Sequence, residues 1–133
     1  MFASIANLPD FLLFFAISVA LTVLYLVIYT FATAHNEFAL IRRNVVSAAV
    51  ALGLSLIGFA LPLSSAVVYA VTVIDLVIWG LIAMIVQIAV YVMVRLIIPN
   101  LSQRIAAGEM AAALFLGAIS LAAGILNASA MTF

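Results

Sequence analysis

The chain contains no cysteine, which excludes disulfides and thiolate chemistry and leaves the redox compartment unreadable. Charge is almost as scarce. Four Lys or Arg and four Asp or Glu make up 6% of the 133 residues, against about 25% in ordinary soluble domains. The net charge of zero offers no basic stripe of the kind nucleic acid demands. Prolines number three and glycines six, so few positions interrupt regular structure. The opening MFASIANLPD holds no Lys or Arg and hence no basic n-region of a cleavable signal peptide; the apolar stretch after it reads as a retained membrane span.

What is present is apolar. Hydrophobic residues are 71% of the chain, against roughly 45–50% in soluble domains. A small soluble fold has too little interior to hide that much surface. The lipid bilayer must therefore be a partner. Four stretches, 11–34, 44–74, 76–94 and 110–133, are each long enough to cross a hydrocarbon core, which takes about 20 helical residues. The expected fold is all-α: a single membrane domain over 1–133, a bundle of four transmembrane helices at about 11–34, 44–66, 75–98 and 109–131. Pro62 is where the overlong second stretch is expected to kink or end, with a connector over 67–73. Pro99 and Asn100 close the third span, and Glu109 suits the positive end of the fourth helix.

All four basic residues, Arg42, Arg43, Arg95 and Arg104, fall in or beside the two connections 34–44 and 99–109. Basic residues of short loops stay cytoplasmic, so both loops are expected inside and both termini outside, an N-out/C-out arrangement. Trp79 and Tyr69 fit an outer interfacial belt. Tyr29 and Tyr91 fit either an inner belt or the interior of the bundle.

Moving residues 41–66 forward by 64 places them on 105–130 and matches Ile41 with Ile105, Ala48 with Ala112, Ala49 with Ala113, Leu52 with Leu116, Gly53 with Gly117, Ser65 with Ser129 and Ala66 with Ala130. Two tandem units follow, at about 8–68 and 72–133. Each holds two spans, so both enter the membrane in the same sense, a parallel rather than an inverted repeat. Small residues stripe the second span (Ser47, Ala51, Ser55, Gly58) and the fourth (Ala113, Gly117, Ser120, Gly124). Such stripes let backbones approach closely. Gly53, Gly58, Gly117 and Gly124 are therefore the expected helix-packing positions, with an oligomer interface or pore lining as the sharper alternative. Spans one and three carry the bulky side chains that meet lipid.

Candidate functional positions are few. Asp75 and Arg95 stand at opposite ends of one helix, about 30 Å apart at about 1.5 Å per residue, and read as interfacial anchors. Gln87 is a strong hydrogen-bonding group near mid-span, and Asn127 lies closer to the end of the fourth span. Each is either interhelical glue or a lining group for an ion or solute. The loop AHNEFALIRRN gathers His35, Glu37, Arg42, Arg43 and Asn44, with Glu37 within possible reach of Arg104 or Arg43. It reads as a solvated or headgroup-bound loop, or as a docking or gating surface. No third ligand joins His35 and Glu37, so no metal is expected. No nucleophile–base set, phosphate loop or close carboxylate pair exists; neither a cofactor nor an enzyme is expected.

The runs HNEFALIRRNVVSAAVALGLSLIGFALPLSSA, IDLVIWGLIAMIVQ, VRLIIPNLSQRI and GILNASAMTF resemble the YjfL-like bacterial inner-membrane proteins, the family called domain of unknown function 350. That resemblance covers most of the chain and implies a small bacterial inner-membrane protein built from duplicated two-helix units. It brings no activity and no functional residues. It places emphasis on Glu37, Asn44, Gly53, Gly58 and Pro62 in the first unit and on Gly117 and Asn127 in the second, which lacks counterparts of Pro62 and of Arg42–Arg43. The expected function is an oligomeric channel- or transporter-like component for a small ion or solute. The alternative is a membrane scaffold or accessory subunit that docks a partner through its cytoplasmic loops.

Overall fold

A computed structural model describes residues 5–33 and 36–131; His35 lies outside them. Six helices have both their bounds among the described residues: α1 (Leu8–Ala32), α2 (Glu37–Arg42), α3 (Val46–Tyr69), α4 (Val73–Ile97), α5 (Leu101–Ala106) and α6 (Met110–Ala130). The four long ones are each apolar and long enough to cross a membrane.

Local chemistry accounts for most boundaries. Pro9 stands in the first turn of α1, where its missing N–H costs nothing, and Asp10 meets the positive end of the helix dipole. The Asn36 side chain accepts from the Ala39 N–H at 3.1 Å and caps α2. Thr72 caps α4 by accepting from the Asp75 N–H at 3.2 Å, and the Asp75 carboxylate accepts in return from the Val71 N–H at 3.4 Å. The short helices α2 and α5 each end in a left-handed residue, Asn44 (φ 64°) and Gly108 (φ 91°), that turns the chain into the next long helix. A third left-handed residue, Asn100 (φ 57°), turns the chain from α4 into α5.

One boundary departs from expectation. Pro62 does not end the second span: α3 runs through it to Tyr69, and the connector shrinks to residues 70–72. Membrane helices tolerate proline where a neighbouring helix serves the backbone group it frees. The freed group here is the carbonyl of Gly58, four residues earlier, for which Pro62 has no N–H. That carbonyl faces Gly124 of α6, so closely that a Cβ on Gly124 would collide with it.

The core is built around α3 and α6, which pack against each other more extensively than any other pair. Lying one span apart, they run parallel. Their facing residues are small: Ser47, Ala51, Ser55 and Gly58 on α3, with Ala113, Gly117, Ser120 and Gly124 on α6, all buried. Gly117 makes room for Leu54, and Gly58 for the backbone of Ser120. Gly53 does not belong to this seam. A Cβ added to it meets nothing within 4 Å, so its expected packing role is withdrawn. Gly80 of α4, not singled out by the sequence, instead makes room for Leu21 of α1: a Cβ added to it would lie 2.7 Å from the tip of that side chain. The helix α1 lies at the periphery, fully burying only the line Leu21, Tyr25 and Tyr29 in its second half; Phe11, Phe15 and Phe31 are exposed, while Phe14 packs partly buried against the core.

Candidate functional site

The residue that departs furthest from its expected setting is Glu37. A polar loop residue belongs in solvent or among headgroups, yet Glu37 opens α2 with no exposed surface at all. Its carboxyl lies within electrostatic range of three tyrosines, Tyr25 and Tyr29 of α1 and Tyr91 of α4. Both tyrosines left open between belt and interior point into the bundle, each 1% exposed.

The rings form a continuous set. Tyr25 stacks on Phe59 with centroids 4.4 Å apart, and Tyr29 meets Tyr91 edge-on at 5.4 Å. Their hydroxyls lead on to the α3–α6 seam. The Tyr25 hydroxyl donates to the Ser55 carbonyl at 3.4 Å. The Ser55 hydroxyl oxygen lies 3.3 Å from that of Tyr29 and 3.4 Å from that of Ser120. A hydroxyl has one hydrogen, so Ser55 donates to one neighbour and accepts from the other, which gives the line a direction. Gln87 completes it: its amide Nε2 donates to the Ser120 carbonyl at 3.0 Å. On the other side of the cluster, the hydroxyls of Tyr91 and Ser102 of α5 are 3.3 Å apart. Ser47 ties α3 to α5 by donating to the Ile105 carbonyl at 2.6 Å.

The result is a buried polar line between helices. It starts at Glu37 near the arginine-bearing end, passes the tyrosines a turn or two inside, and reaches Ser55, Ser120 and Gln87 near mid-span. Gln87 is 1% exposed and its carbonyl Oε1 has no hydrogen-bond partner among the described residues. An unused acceptor inside a protein is costly and calls for an explanation. Asn127, nearer the other end, has a buried amide nitrogen that likewise lacks a partner among the described residues.

The remaining sequence candidates stay outside this line. Arg42 and Arg43 are exposed at the end of α2, where Arg43 Nε donates to the Ala39 carbonyl at 3.5 Å, and Asn44 is exposed beside them. Arg104 pairs with Glu109 at 3.3 Å. Arg95 donates to the Ala32 carbonyl at 3.3 Å and so places its positive charge on the negative end of α1. The sequence did not single out Tyr25, Ser102 or Ser120 as chemistry. The available signal was the run of hydroxyl residues inside the spans, which local back-bonding alone accounts for at Ser18 and Thr22.

Comparison with known proteins agrees on the kind of chain this is. The family model described as Domain of Unknown Function (DUF350) matches residues 3–131. Two curated relatives, each called UPF0719 inner membrane protein YjfL, come from Escherichia coli strain K12 and Escherichia coli O157:H7. Each is 42% identical over 127 residues, covering 96% of this chain and 96% of the relative. No solved structure matches the chain.

Proposed function

The chain belongs to the DUF350 family, and we propose that this multi-pass inner-membrane protein conducts a small cation, the proton above all, along the buried line from Glu37 to Gln87. One observation carries the reading: a carboxyl group with no exposed surface, within electrostatic range of three tyrosines, followed by hydroxyls spaced for hydrogen bonding as far as mid-span. Ionisable groups inside membrane proteins are expensive and mark ion pathways and proton relays. The role is one of conduction, not catalysis.

The rest of the arrangement is read in the same terms. The three helices of the first half recur in the second with starts displaced by 65, 64 and 64 residues (8 to 73, 37 to 101, 46 to 110). The left-handed Asn44 and Gly108 are likewise 64 apart (44 to 108). This supports two parallel units, 8–68 and 72–133. All four arginines gather at the end opposite the termini, which supports periplasmic termini and cytoplasmic basic loops. The contact of Gly58 with Gly124 closes the seam beyond mid-span, so the second half of a path would run between subunits of a homo-oligomer. The exposed Arg42 and Arg43 support the second reading, a scaffold docking an acidic partner through this loop.

The test is proton entry into protein-containing liposomes under a potassium diffusion potential, read by an enclosed pH dye. Wild-type protein is expected to admit protons, and both Glu37→Gln and Gln87→Leu to abolish entry while remaining folded by circular dichroism. Wild-type vesicles no more permeable than protein-free ones would sink the proposal, as would undiminished entry with Glu37→Gln.

A further inference from the structure

Away from the polar line, at the end of the bundle that carries the termini, a cleft of about 740 Å³ lies between the first half of α1 and the second half of α3. That volume falls within the range of about 300–1,000 Å³ typical of ligand sites. Its walls are mainly apolar, with Phe11, Phe14 and Phe15 on one side and Leu63 and Val67 on the other; Ser64 adds a hydroxyl on the α3 side. Ser18, which also lines it, is already satisfied, its hydroxyl donating to the Phe14 carbonyl at 2.7 Å. From Asp10 to Ser18 the groove follows α1 for about 12 Å. A carboxylate stands at its mouth, that of Asp10.

The charge distribution narrows the choice of occupant. Arg42, Arg43, Arg95 and Arg104 are the whole Lys and Arg content, and every one sits at the opposite end. A second copy in the same orientation therefore has no Lys or Arg to set against Asp10. An anionic headgroup would be repelled there. An apolar tail joined to a cationic head satisfies both parts of the site, the walls by burial and the mouth by ion pairing.

We propose that this cleft binds a phospholipid with a primary ammonium headgroup, the chemistry of phosphatidylethanolamine. One acyl chain lies between Phe14 and Leu63, and the ammonium rests on the Asp10 carboxylate. Seen this way, the peripheral position of α1 leaves room for a bound lipid between α1 and α3.

The experiment is native mass spectrometry of the full chain equilibrated with equal phosphatidylethanolamine and phosphatidylglycerol of matched acyl chains. The wild type is expected to retain one phosphatidylethanolamine in several-fold preference. Asp10→Asn, an isosteric change at an exposed position, is expected to bring the two lipids to parity without loss of fold. Ala60→Trp, which fills the cleft from α3, is expected to lose the retained lipid of either kind. Equal retention of both lipids by the wild type would overturn the assignment. So would a preference that survives Asp10→Asn, or a lipid-free dimer, which would give the cleft to a second copy.

Discussion

The carbonyl oxygen of Gly58 occupies the place where a side chain on Gly124 would begin. The two helices can approach this closely because both residues lack a side chain and because Pro62 leaves that carbonyl without its helical donor. The geometry suits a Cα–H···O contact from Gly124, a weak bond of the kind that recurs where helices meet. Membrane helices gain no hydrophobic drive from meeting one another, so close packing of this sort is a large part of what holds them.

Gly124→Val is therefore expected to force α3 and α6 apart, with an overpacking cost of about 1–3 kcal/mol or more. Gly53→Ala, where an added Cβ meets nothing, is expected to leave stability unchanged or raise it by about 0.5–1 kcal/mol through helix propensity. Unfolding in mixed micelles by titration with sodium dodecyl sulfate reads both. Equal losses at the two glycines would show that the seam is not where the structure puts it.

A coupled pair tests the seat of α1. Gly80→Ala brings a methyl into the tip of Leu21 and is expected to destabilise the fold modestly. Leu21→Ala removes the obstacle. The double substitution is then expected to cost less than the sum of the two, a positive coupling readable in a double-mutant cycle. Strict additivity would mean that the two residues do not meet.

Asn44 holds φ at 64°, a conformation costing an ordinary residue roughly 1–2 kcal/mol and a glycine nothing. Asn44→Gly is expected to be neutral, since Gly108 holds the same left-handed conformation where α5 gives way to α6. Asn44→Val is expected to lower the unfolding midpoint clearly. If valine is tolerated as well as glycine, the left-handed turn is not needed to aim α3.

The four spans were legible in the sequence because crossing a bilayer demands an uninterrupted apolar length, a property of composition that needs no partner. The small-residue faces of α3 and α6 were legible for a similar reason: a repeated four-residue spacing survives in one dimension. What could not be read was which neighbour each face meets. Gly53 and Gly117 align in the two halves, yet one faces open space and the other Leu54. Pro62 signals a break when taken alone, but the group it frees meets a helix far along the chain. Glu37 was misjudged because six residues are too few to show a helical period, so nothing local reveals that α2 turns its first side chain inward. The tyrosine cluster stayed hidden for the same reason, since its members come from two helices and become a site only when packed.

The parallel seam also carries a schedule. Ser55 and Ser120 are 65 residues apart in the chain, and chains are made at roughly 5–20 residues per second. For several seconds during synthesis, α3 stands in the membrane with its serines, its glycine and the carbonyl freed by Pro62 facing lipid or the insertion machinery rather than α6. The last long helix to emerge is the one that closes the core, so the molecule's most intimate contact is also among its latest to form. A chain cut short before α6 would leave that face open to whatever helix the membrane next supplies.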